Sequence, residues 1–106
     1  MIEVNLYTLA NGELVGFRLS GHSGYAESGS DIVCAAISSA GLMAANTITE
    51  IMKISAEATA EDGNIYLRVF SNQALACRDI LQGFKLHMLL MEEQYSDYIM
   101  VKTTEV

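Results

Sequence analysis

The chain has 106 residues, 51% of them hydrophobic and only 18% charged, a composition that suits one packed core and argues against disorder. Six Lys and Arg against thirteen Asp and Glu give a formal net charge of -7, which argues against direct nucleic-acid binding and suits a basic peptide partner. No apolar run reaches the roughly 18 residues of a membrane-spanning helix, and the first residues lack the layout of a signal peptide, so no membrane association and a cytoplasmic location are expected.

Residues 2–9 and 14–20 read as strands. In the second, Val15, Phe17 and Leu19 fall on one side and Gly16, Arg18 and Ser20 on the other. Asn11 and Gly12 between them predict a hairpin with a type I′ turn, because both residues tolerate positive φ. An extended loop over 21–30 follows, containing Gly21, Gly24 and Gly29. From about residue 31 to 53 the pattern is helical, and Val33, Ile37, Ala40, Ala44, Ile48 and Ile51 form one apolar face. Ala35, Ala36, Leu42, Met43 and Met52 place apolar surface elsewhere on the helix, as expected if a sheet covers one side and a partner subunit another.

Residues 54–60 and 65–70 read as a second hairpin around Glu61, Asp62, Gly63 and Asn64. Residues 72–94 form a second amphipathic helix, with Cys77, Leu81, Phe84, Met88 and Met91 on one stripe. Gly83 lowers its propensity by about 1 kcal/mol relative to Ala. Residues 98–103 close the chain as a strand. The order ββαββαβ predicts an α+β single domain over 1–106, with a mainly antiparallel sheet and two helices packed on one face of it.

The chemistry concentrates on His22 and Cys34, which flank the glycine loop. A helix starting near Asp31 puts Cys34 in its first turn, where backbone N–H groups lack intrahelical acceptors. Such groups favour a thiolate and can stabilise an oxyanion on an attacked carbonyl. An imidazole able to take the thiol proton completes the minimum for nucleophilic catalysis by cysteine. The other reading is structural: a cysteine within Ile32, Val33, Ala35 and Ala36 also suits a small buried hydrophobe, and a histidine beside a loop also suits a capping role. Asp31 can orient His22, cap the helix, or do both. Ser38 lies one turn after Cys34 on the same helical face. Cys77 and His87 read as structural, and His22, His87, Cys34 and Cys77 are too dispersed to predict a metal site or another cofactor.

The residues Gly21 and His22, followed by Gly29, Asp31, Ile32, Val33, Cys34 and Ala35, resemble the signature of the bacterial ribosomal-processing cysteine proteases, the Prp or YsxB-like family. The likeness extends over nearly the whole chain, including the short second hairpin and the acidic stretch Glu92, Glu93, Gln94 before the closing strand. The resemblance implies that His22 and Cys34 form a catalytic dyad, that Gly21, Gly24 and Gly29 belong to a loop that moves on substrate binding, and that Asp31 and Ser38 support the site. It implies no cofactor and a homodimer. The implied substrate is the N-terminal extension of a large-subunit ribosomal protein. The competing expectation is a non-catalytic ribosome-associated module that binds a peptide or dimerises through the same surface.

Overall fold

The computed structural model describes residues 1–21 and 32–106. Five strands form one sheet in the order β3-β4-β2-β1-β5. They are β1 (Ile2–Thr8), β2 (Leu14–Gly21), β3 (Ala56–Glu61), β4 (Asn64–Val69) and β5 (Ile99–Glu105). Three of the four pairings are antiparallel; β1 and β5 run parallel, with Ile2 opposite Ile99. Two helices, α1 (Ile32–Asn46) and α2 (Arg78–Gln94), complete the ββαββαβ order.

The period-two patterns decide which face of the sheet is covered. Val4, Leu6, Phe17, Leu19, Ile65 and Leu67 point to the helices and are buried, and their neighbours in sequence face outward. Both helices pack on this one face. The α2 residue Phe84 stacks on Phe17 with ring centroids 4.1 Å apart. Gly41 of α1 lies so close to the sheet that a Cβ there would sit 2.5 Å from Leu19 Cδ1. Cys77 is fully buried in the same core.

The structure corrects four sequence expectations. Asn11 does not take positive φ: among described residues other than glycine, only Lys53 does. The first hairpin is therefore not type I′. The Gly12 amide donates to the Leu9 carbonyl and the Leu9 amide to that of Glu13, closing a three-residue loop in which Gly12 alone, at φ 90, is left-handed.

The first helix changes winding after Asn46. The Thr47 and Thr49 hydroxyls donate to the Met43 and Ala45 carbonyls, competing for the acceptors of the regular helix, and Thr47–Ile51 is a π turn. That turn rotates Ile51 off the apolar face, leaving it 77% exposed. The second helix begins at Arg78 rather than 72, because a 3-10 turn at Ser71–Gln73 and further turns precede it. Finally, the segment Ile32–Ile51 is a helix of 20 residues with mean hydropathy 1.6, long and apolar enough by composition to span a membrane. Here its apolar side packs on the sheet, with Val33, Ile37 and Ile48 buried.

Candidate active site

The end of β2 and the start of α1 face each other across the top of the sheet. Gly21 ends β2 at φ 90, and a Cβ there would lie 2.6 Å from the Met1 carbonyl oxygen, so only glycine fits. Its amide donates to the Gly63 carbonyl at 3.0 Å, which extends the β2–β4 ladder one step beyond Ser20 and Asn64. The next residue in sequence is His22. His22, Gly24, Gly29 and Asp31 lie outside the described residues.

Cys34 is the third residue of α1 and is half-buried. It therefore stands in the first described turn of the helix, at the positive end of its dipole. The thiol borders a cleft walled by Gly21, Ser38, Gly63 and Asn64, with Leu19 and Ile65 beneath. The structure therefore brings together Cys34, Ser38 and Gly21, three of the residues that sequence reasoning singled out. The wall from the β3–β4 turn was not foreseen. The turn itself was legible as Asp62 and Gly63, but its position beside Cys34 depends on β4 pairing with β2.

The other two candidates separate. Cys77 has no exposed surface, and burial pushes its thiol pKa above the ordinary value. That agrees with a structural role. His87 is exposed, in a groove between the helices lined by Ala36, Ala40, Met43 and Gly83, so it is not a core residue. Neither cysteine forms a disulfide. Among the described residues, no three His, Cys, Asp or Glu side chains gather as a metal site would require.

A family model described as cysteine protease Prp matches residues 1–100. The chain belongs to the Prp cysteine protease family. Solved structures carry the same fold. The Staphylococcus aureus ribosomal processing protease Prp, solved with a covalently linked product peptide, superposes with a TM-score of 0.87 at 24% identity, covering 98% of this chain and 100% of that one. The same Staphylococcus aureus enzyme with a substrate peptide gives 0.83 at 24% identity, with coverage of 98% and 100%. SMU.848 from Streptococcus mutans gives 0.77 at 22% identity, covering 100% of this chain and 96% of that one. No curated protein matches the chain. At these identities the superpositions establish the Prp fold, and the family match establishes a cysteine protease lineage.

Proposed function

We propose that this Prp-family chain acts, over residues 1–106, as a cysteine endopeptidase that removes the N-terminal extension of a bacterial large-subunit ribosomal protein, with Cys34 as nucleophile and His22 as its base. The observation that carries the reading is the position of Cys34. It lies in the first turn of a helix, at a cleft whose far wall ends in Gly21, immediately before His22 in sequence. The peptide substrate class is carried over from the Staphylococcus aureus enzyme, a ribosomal processing protease that holds peptides in its structures.

The chemistry follows from those groups. His22 takes the Cys34 proton, and the thiolate attacks the scissile carbonyl carbon, forming a C–S bond. The negative charge moves to the carbonyl oxygen, where the positive end of the α1 dipole at its first turn stabilises it. As the tetrahedral species collapses, the C–N bond breaks and His22 gives its proton to the leaving amine. Water, deprotonated by His22, then attacks the thioester and frees the new carboxyl group, returning the thiol. Ser38 lies one turn along and lines the same cleft, which supports a role for it beside Cys34, and Asp31 orients His22 or caps α1.

The decisive experiment follows cleavage of the extended ribosomal protein by mass spectrometry. Wild type removes the extension, Cys34→Ala abolishes cleavage, and His22→Ala lowers the rate by about 10²–10⁴-fold, the usual contribution of a general base. An intact substrate with wild type, or a Cys34→Ala variant that still cuts, sinks the assignment. Tight binding of the peptide by wild type with no cleavage would favour the ribosome-associated binding module instead.

We also propose a cytoplasmic homodimer. The solvent side of the helix layer exposes Met43, Leu86 and Leu90 around the groove that carries His87, an apolar surface that a second copy would cover.

A further inference from the structure

The open face of the sheet holds a half-buried cation, Arg18, that meets the side chains of Tyr7, Asn64 and Tyr66. Arg18 points away from the helices. Its Nη1 donates to Asn64 Oδ1 at 2.8 Å and its Nε to the Tyr7 hydroxyl at 3.4 Å. The guanidinium lies over the Tyr66 ring, 4.5 Å from its centroid, and Tyr7 meets Tyr66 edge to face at 6.0 Å. One side chain on β2 thus grips its neighbours β1 and β4 at once, and its planar fork is pre-ordered by the two rings.

The shortest of these contacts falls on Asn64, the first residue of β4. The residue before it, Gly63, accepts the Gly21 amide. Gly21 is pinned from the other side too, opposite Ile2 in the register and hard against the Met1 carbonyl. Gly21, Gly63 and Asn64 all wall the Cys34 cleft. A continuous chain of contacts therefore runs from Arg18, on the face away from Cys34, to Gly21, the strand end that precedes His22 in sequence.

We propose that Arg18 is a positioning residue for the protease. Through Asn64 and the Gly63–Gly21 hydrogen bond it fixes where the chain leaves β2 beside Cys34, one residue before His22 in sequence. The inference rests on the reading of His22 and Cys34 as a dyad. A displacement of about 1 Å in such a site can cost about 10²-fold in rate, so holding the strand end still has catalytic consequence.

The test is the pH profile of Cys34 alkylation, with the adduct located by mass spectrometry, measured beside kcat and KM on the extended ribosomal protein. An imidazole at its working position makes the thiol react faster near neutral pH, so His22→Ala should slow alkylation at pH 7 by about tenfold. Arg18→Met and Asn64→Leu should slow it by about threefold or more and lower kcat, with KM changed by less than about twofold. Arg18→Lys keeps the charge without the fork and should behave like Arg18→Met. Tyr66→Phe keeps the ring under the guanidinium and lies outside the cleft lining, so it should hold the wild-type profile.

If Arg18→Met and Asn64→Leu only lower the melting temperature, and the alkylation profile and kcat stay at wild-type values, Arg18 merely stabilises the sheet and the proposal is overturned. Should Arg18→Met fail to fold, Arg18→Lys decides by itself: a wild-type alkylation profile and kcat there overturn the proposal. A His22→Ala profile identical to wild type removes the dyad reading, and the positioning role with it.

Discussion

Two cysteines in one small chain meet opposite surroundings. Cys34 stands half-buried at a helix start beside a cleft, and Cys77 is enclosed in the core at the N-terminus of α2. Near pH 7 the native protein should accept an alkylating agent at Cys34 only, with Cys77 reacting once denaturant is added; peptide mapping after labelling checks this. The raised thiol pKa of Cys77 also sets a sign. A group whose folded pKa exceeds its unfolded value contributes stability that is complete below the unfolded pKa and is lost as pH rises through the folded one. Urea melts should therefore show stability falling above the ordinary thiol range, and Cys77→Ala should flatten that alkaline decline while costing stability at pH 7. An equally steep decline in the variant would assign it to other groups. The place of Cys34 in the first turn of a helix was legible because a helix start is a local signal. Arg18 was not, since alternation only says that it faces outward, and its grip on Asn64 joins residues 46 positions apart.

Gly41 and Gly83 look alike in sequence, each inside a helical pattern, yet the structure separates them. A Cβ at Gly41 would press on Leu19 in the core, whereas one at Gly83 meets nothing within 4 Å. Gly41→Ala should lose about 1–3 kcal/mol through overpacking, and Gly83→Ala should gain about 0.5–1 kcal/mol from helix propensity. Thermal melts of the two variants read both, and equal shifts would mean that α1 does not sit as tightly on β2 as described. Long apolar periodicity made the existence of both helices plain from sequence. Their ends were not, for physical reasons. The threonine hydroxyls of 47 and 49 rewind the end of the first helix through contacts that a hydrophobic pattern does not encode. Before Arg78, apolar Ala74 and Cys77 are buried from turns rather than from a helix, so the stripe begins earlier than the helix does.

Across the whole molecule, the alternating strands and two amphipathic segments announced an α+β architecture, and the sheet order was the part that local patterns could not supply. That order sets β4 against β2 and thereby brings the Asp62–Gly63 turn to Cys34. The exposed apolar side of the helix layer belongs to the same scale. Sedimentation at micromolar concentration should give a dimer, and Met43→Glu, which puts a charge into the groove between the helices, should shift it to monomer. A wild-type monomer, or a variant still dimeric, would place the interface elsewhere or remove it. The parallel pairing of β1 with β5 has one more consequence, in the order of synthesis. Val4 and Leu6 lie in a strand whose outer neighbour, β5, follows the other four strands in sequence, and the Ile2 amide takes its acceptor from Tyr98. While translation proceeds, β1 must wait with one edge bare. The strand that pairs with Ile2, one of the residues lining the cleft, joins only when residues 99–105 have emerged, so that part of the lining gains its outer neighbour after the other strands are made.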